Sequence, residues 1–117
     1  MANNFDPKDG GKVLLSDAEK WMKKFDDEDR HEKDKDTKSV FFGKDFLKSI
    51  LETPDCAGIS IFLAKKHSDH AKKDVINFVL IPRKADGTLI YSNSSEGKDA
   101  ANTYVYDTGK VCPPTCS

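Results

Sequence analysis

The cysteines are the side chains with the most distinctive chemistry in this chain of 117 residues. Three residues, two of them prolines, separate Cys112 from Cys116, and Cys56 lies far upstream. A thioredoxin-type redox motif has two intervening residues and stands at a helix start, where the dipole lowers a thiol pKa. Pro113 and Pro114 oppose a continuing helix, so the pair does not match that motif. Three interpretations stay open: cysteines without a cofactor, a local disulfide, or a metal site.

A metal site would draw on histidine as well as cysteine. Structural zinc is held by four Cys or His side chains, and Cys56, Cys112 and Cys116 with His67 or His70 suffice in number. Their spacing is not a known zinc signature. His67 and His70 are three residues apart in a lysine-rich segment, where a polar surface is the simpler interpretation. We therefore expect no cofactor, with zinc as the alternative.

Positive charge is concentrated in one segment, residues 65–73. Lys65, Lys66, Lys72 and Lys73 could bind an anion or an acidic partner by electrostatic attraction. No aromatic residues alternate with these lysines as platforms for stacking bases, so nucleic-acid binding is not expected.

Patterns that indicate catalysis are scarce. The sequence contains no Gly-x-Ser-x-Gly elbow, no glycine-rich phosphate loop and no His-Glu-x-x-His motif. Many carboxylates lie in the charged run 26–38, for which two interpretations stay open: the first helix frays into it, or it is a solvated loop. Asp34 and Asp36 alternate there, but no glycine follows as a calcium-binding EF-hand loop requires. We predict no catalytic residue and consider an enzyme the less favoured class.

The elements that would position these groups are β-strands in the middle of the chain. Residues 57–64 and 75–81 are rich in β-branched and aromatic side chains, which is typical of buried strands. Residues 89–91 follow the tight-turn signal of Asp86 and Gly87 and are predicted as a third strand. We therefore predict an α+β fold with an antiparallel meander of three to five strands. The first two strands would be apolar on both faces and joined by a loop over 65–73.

Two helices are predicted to pack on this sheet. Ser16 and Glu19 form a capping-box pattern, which predicts a helix that begins at Asp17. Its apolar residues recur at helical spacing and would anchor the helix on the sheet. They are Ala18, Trp21, Met22 and Phe25.

The second helix is predicted over residues 45–52, with an apolar stripe toward the sheet, and Pro54 ends it. Residues 39–42 and 100–107 are predicted as further short strands. Their exposed edges at 39–42 and 104–106 would accept a strand from a partner.

The composition and charge of the whole chain limit the class of protein. Residues 1–12 are expected to be loose, and residues 13–117 to form one α+β domain with a charged loop at 26–38. A net charge of −1 gives no overall field to attract nucleic acid or an anionic membrane. No apolar run approaches the length of a membrane span, no signal peptide is recognisable, and an odd cysteine count suits a reducing compartment. We predict a cytoplasmic, non-enzymatic interaction domain that binds a protein or itself. The alternative is a metal-binding or redox-responsive domain that uses the three cysteines.

Three segments together resemble a family of short, uncharacterised bacterial proteins. They are residues 15–19 at the first helix, Phe41-Phe-Gly-Lys-Asp45 followed by Pro54-Asp-Cys56-Ala-Gly58, and the terminal Cys112-Pro-Pro-Thr-Cys116. The resemblance covers the chain from Val13 onward and implies no assigned activity and no catalytic residue. It implies that the three cysteines belong to one pattern. The charged run and the segment 65–73 depart from that pattern.

Overall fold

The structure is a computed structural model that describes residues 4–93 and 103–116. Two helices and six strands follow one another along the described chain, and the class is α+β, as predicted. Within these residues the strands form three two-stranded sheets, β1 with β6, β2 with β3 and β4 with β5. The predicted sheet of three to five strands is therefore not confirmed. The bounds are α1 Leu15–Asp29, β1 Ser39–Phe41, α2 Lys44–Leu51, β2 Gly58–Ser68, β3 Lys73–Arg83, β4 Ser92–Asn93, β5 Thr103–Tyr104 and β6 Lys110–Cys112.

The hairpin of β2 and β3 is longer than the apolar pattern predicted. Its turn is limited to residues 69–72, where Lys72 adopts a φ of 59° and its N–H donates to the Ser68 carbonyl over 2.7 Å. Residues 65–68, which we expected in a loop, continue β2. Ile61 and Leu63 are 63% and 76% exposed, so β2 is not buried on both faces. The strand length was underestimated because lysines have low strand propensity, which pairing with β3 overrides.

The described residues fall into two compact units. The first comprises 4–9, 42–63, 78–93 and 103–109, and its buried side chains include Ile50 of α2 and Leu80 of β3. The Phe46 ring lies 6.0 Å from the Phe42 ring and 5.8 Å from the Tyr106 ring, measured between centroids. Tyr106 also exchanges two backbone hydrogen bonds with Leu80. Helix α2 thus contributes Ile50 and an aromatic contact to this unit.

The predicted third strand is reduced to isolated contacts in the first unit. Leu89 forms a single bridge with Arg83, and the Ile90 N–H donates to the Pro82 carbonyl over 2.8 Å. The turn before it does form, since Gly87 has a φ of 99°, which favours glycine. Of the predicted strand 100–107, residues 100–102 lie outside the described residues, and Tyr104 pairs with Ser92.

The second unit comprises 10–41, 64–77 and 110–116. Strand β1 forms where predicted and pairs antiparallel with β6, in the register Ser39 to Cys112 and Val40 to Val111. Local sequence patterns did not predict this partner, because residues 42–109, which are 68 residues of chain, separate the two strands. The buried residues of this unit include Ala71, Val75 and Cys112.

Helix α1 begins two residues before the predicted position. Leu14 occupies the N-cap with extended backbone and no side-chain capping bond. Its carbonyl accepts from the N–H groups of Asp17 and Ala18 over 3.1 and 3.0 Å. Ser16 therefore lies inside the first turn, and the capping-box prediction was wrong. The helix ends at Asp29, so it extends into the charged run, and none of its residues is buried.

Candidate functional site

The structure places the three cysteines in different settings. Cys112 and Cys116 form a disulfide, with their Cα atoms 4.6 Å apart. Cys112 is buried in β6, whereas Cys116 is exposed. Cys56 is a half-buried free thiol whose Sγ lies 3.2 Å from the Gly58 carbonyl oxygen. The sulfurs of Cys112 and Cys116 are consumed by their mutual bond and are not thiolate ligands in this state.

The two histidines of the hairpin tip have separate partners. The Nε2 atom of His70 lies 2.8 Å from the Asp34 carbonyl oxygen. His67 is 62% exposed and lies between the carboxylates of Asp69 and Asp74, at 3.5 and 3.9 Å. Among the residues that the structure describes, no three His, Cys, Asp or Glu side chains are grouped to hold a metal ion.

The four lysines of segment 65–73 do not share one surface. Lys65 and Lys66 are consecutive in β2 and therefore point to opposite faces, and Lys72 lies in the turn. Lys73 in β3 forms ion pairs with Asp36 at 2.7 Å and Glu32 at 2.6 Å. The hydrogen bonds that the Lys73 ammonium donates to these two carboxylates raise the pKa of Lys73.

The charged run is organised around Arg30, which is only 6% exposed. Its Nε donates to the Asp36 carbonyl over 2.9 Å, and its Nη2 donates to the Lys33 carbonyl over 2.7 Å. Its Nη1 donates to the carboxylate of Asp26, one helical turn earlier. We call this set of contacts the Arg30 clasp. A buried guanidinium must be paired and hydrogen-bonded, and the clasp satisfies it with one carboxylate and two carbonyls.

The loop closed by the clasp is fixed to β3. The hydroxyl of the buried Thr37 donates to the Ile76 carbonyl, while the Lys73 ammonium reaches both Glu32 and Asp36. The Glu32 backbone N–H donates to the Asp36 carboxylate over 2.9 Å, and this bond is the main cause of the lowered Asp36 pKa. The hydrogen bond from Lys73 likewise lowers the pKa of Glu32. The run is therefore an ordered loop and not a fully solvated one.

A groove lies between α1 and the residues that follow this loop. The Lys38 N–H donates to the Cys112 carbonyl over 2.7 Å, which fixes the entry to β1. Lys38 and Ser39 then form one wall of a cavity of about 310 Å³. Its other wall belongs to α1, and we call this cavity the α1 groove. It is lined by Trp21, Met22, Phe25, Asp26, Lys38 and Ser39.

The apolar side chains of the α1 groove are unusually exposed. Trp21 is 60% exposed, Met22 59% and Phe25 36%. We expected this stripe to anchor the helix on a sheet, as amphipathic helices of globular proteins usually do. The structure differs from this expectation, because the stripe stays exposed. Periodicity identifies an apolar stripe but does not tell whether the rest of the chain covers it. Leu14 and Leu15, at 69% and 71% exposed, extend the apolar surface toward the start of the helix.

Sequence reasoning missed Arg30 and its partners. One local signal was present: Asp26 precedes Arg30 by four residues, a spacing that places the two side chains together on a helix. The contacts of Arg30 to the Lys33 and Asp36 carbonyls depend on the path of the loop, which no local pattern specifies.

No family model, curated protein or solved structure matches this chain. Within the described residues, neither helix has both the length and the apolar character needed to cross a membrane.

Proposed function

We propose that this protein is a non-enzymatic interaction domain that binds a helix of another protein in the α1 groove. The observation that carries the proposal is the exposed stripe of Trp21, Met22 and Phe25 beside an apolar cavity. Contiguous apolar surface on a small protein commonly marks an interaction site. An amphipathic partner helix would lay its apolar face into such a groove. Trp is also one of the residue types enriched among interface hot spots.

The size of the exposed stripe indicates the kind of complex that we expect. Fully burying a large apolar side chain contributes roughly 1.5–3 kcal/mol. Three such side chains must offset the cost of association, which is on the order of 4–15 kcal/mol before other contacts are counted. We therefore expect a transient complex, with affinity that depends on the whole of α1.

Edge-strand docking, which the sequence suggested for residues 39–42 and 104–106, has less support. Ser39–Phe41 already pairs with β6, and Tyr104 and Tyr106 already pair with Ser92 and Leu80. The stripe of α1 has no comparable partner among residues 4–93 and 103–116.

The test uses the single tryptophan as its own reporter. A synthetic helix with leucines at positions i, i+3, i+4 and i+7 and neutral polar flanks is titrated into the protein. Burial of Trp21 should shift its emission to shorter wavelength in a saturable manner. Met22→Lys should weaken the response, while Leu63→Lys, at a still more exposed apolar position on β2, should leave it unchanged. A peptide that leaves the emission of the wild-type protein unaltered would contradict the proposal.

We also propose, as the second candidate function, that the domain responds to redox conditions. The disulfide is linked through the backbone to one wall of the α1 groove, since the Cys112 carbonyl accepts from the Lys38 N–H and Cys112 pairs with Ser39. The predicted cytoplasmic location would make this bond reversible, with the exposed Cys116 sulfur open to attack by a thiolate. Two glutathione thiols would be oxidised to their disulfide while Cys112 and Cys116 become thiols. Cys56 would stay a free thiol throughout.

The redox proposal is tested by repeating the peptide titration in reduced and oxidised glutathione buffers. Affinity should change between the two buffers for the wild type and not for the double variant Cys112→Ser, Cys116→Ser. The variant Cys56→Ser serves as the control and should behave like the wild type. Equal affinity in both buffers would contradict the proposal.

A further inference from the structure

We infer that the helix bound in the α1 groove is basic. This inference rests on the proposed function, and it names the chemistry of the partner from the charges that surround the apolar stripe. Successive residues of a helix are rotated by about 100°, so the position of each side chain around α1 follows from its number. Asp17 and Glu28 then border the stripe on one side, and Glu19 and Asp26 border it on the other. Two carboxylates therefore stand on each border of the stripe.

Two of the three lysines of the same helix lie away from the stripe. Lys20 and Lys23 fall on the face opposite the stripe, together with Asp27. Lys24 lies on the same border as Asp17 and Glu28 and offsets one of their two charges. Lys23 and Asp27 form an exposed ion pair at 2.7 Å, so the back face largely neutralises itself. A partner in the groove would therefore face apolar side chains edged mainly by carboxylates, with Lys38 in the facing wall.

The position of these charges along α1 supplies a second indication. Asp26, Asp27, Glu28 and Asp29 stand in succession in its last turn, and no basic residue belongs to that turn. Negative charge at a helix C-terminus is unfavourable, because it adds to the negative end of the helix dipole. Asp26 is compensated by the Arg30 clasp and Asp27 by Lys23. Glu28 and Asp29 form no ion pair within the described part of the chain, so a cationic partner would relieve their repulsion.

The acidic borders also argue against two other occupants. A second copy that packed α1 on α1 would bring acidic borders against acidic borders, which disfavours pairing. An anionic membrane would be repelled for the same reason, since helices that lie on such membranes carry lysine and arginine beside their apolar face. A basic amphipathic helix satisfies both the stripe and its borders.

The experiment compares three synthetic helices that share one leucine stripe and differ only in their flanks, which are lysine, glutamine or glutamate. Trp21 emission reports binding at low and high ionic strength. We expect the lysine helix to bind about tenfold more tightly than the glutamine helix at low salt, because several exposed charge pairs add modestly. The advantage should shrink at high salt.

A matched pair of variants locates the effect on one face. Glu28→Lys should weaken binding of the lysine helix about threefold and leave the glutamine helix unaffected. Asp27→Lys makes the same change of charge on the opposite face and should alter neither affinity. A loss of equal size in both variants would overturn the assignment of the acidic border.

The outcomes separate this inference from the proposed function. Equal, salt-independent binding of all three helices would overturn the basic partner and keep the docking surface. If none of the three helices binds, both the basic partner and the docking surface are overturned. If the Trp21 emission instead shifts with rising protein concentration alone, together with a dimer mass by light scattering, that result would identify a second copy as the occupant and overturn the inference. A shift with vesicles of zwitterionic or anionic phospholipid, but with no peptide, would overturn it in favour of a membrane.

Discussion

Arg30 is the residue on which the order of the charged run depends. Its guanidinium is buried and bonded to the Asp26 carboxylate and to the carbonyls of Lys33 and Asp36. Lysine has a single ammonium and cannot reproduce this planar set of donors. Because the loop leads directly to Lys38 and Ser39, the clasp also positions one wall of the α1 groove.

Arg30→Ala is expected to destabilise the protein by about 2–4 kcal/mol, since it leaves a carboxylate and two carbonyls without their buried donor. The free energy of unfolding in urea measures this. Lys35→Ala removes only the exposed contact to Glu32 at 3.5 Å and is the control, with an expected loss below about 1 kcal/mol. Equal losses in the two variants would contradict a special role for Arg30.

Acid is expected to weaken the same region. The pKa of Asp26 is lowered mainly by its hydrogen bond from Arg30, and those of Glu32 and Asp36 by the bonds described above. Carboxylates whose folded pKa lies below the unfolded value stabilise the protein above the unfolded pKa. That contribution is lost as the pH falls below the ordinary values of 3.8 and 4.5 toward the lowered ones.

The measurement is the urea midpoint between pH 6 and pH 3. The wild-type midpoint should fall over the lower part of this range, and Asp36→Asn should show a shallower fall. The exposed Asp69→Asn is the control and should follow the wild type. A wild-type midpoint that does not change with pH would contradict the stabilising role of these three carboxylates.

At the scale of elements, exposure separates the two helices. Ile50 of α2 is fully buried, whereas the stripe of α1 remains open to solvent. Ile50→Ala should therefore cost about 2–5 kcal/mol, as buried aliphatic truncations do. Met22→Ala should change the free energy of unfolding by no more than about 0.5 kcal/mol. A Met22→Ala loss above 1 kcal/mol would show that α1 packs within the protein and would remove the basis for docking.

The helices and strands also show which features could be predicted from the sequence. Helix α2, strand β1 and the hairpin of β2 and β3 were predicted from periodicity, propensity and turn signals, which are local properties. The pairing of β1 with β6 and the reduction of residues 89–91 to isolated contacts depend on distant chain segments. Trp21 was found by its spacing, but spacing is the same for a stripe that faces a core and one that faces a partner.

At the scale of the whole molecule, several large apolar side chains are exposed to solvent. Trp21, Met22, Ile61 and Leu63 are each about 60% exposed or more. A chain with 33% charged residues can carry such surface in solution, because charge limits nonspecific association. We therefore assign stability to the residues that are buried and propose the exposed face of α1 as the binding surface.

The most direct test of that assignment is a backbone amide NMR titration of the labelled protein with the neutral amphipathic helix. We predict that the amide signals of α1, Lys38 and Ser39 and the Trp21 indole signal shift together with one dissociation constant. Signals of α2 should stay in place. Shifts confined to other parts of the chain, or no shifts at all, would contradict the claim that α1 is the docking surface.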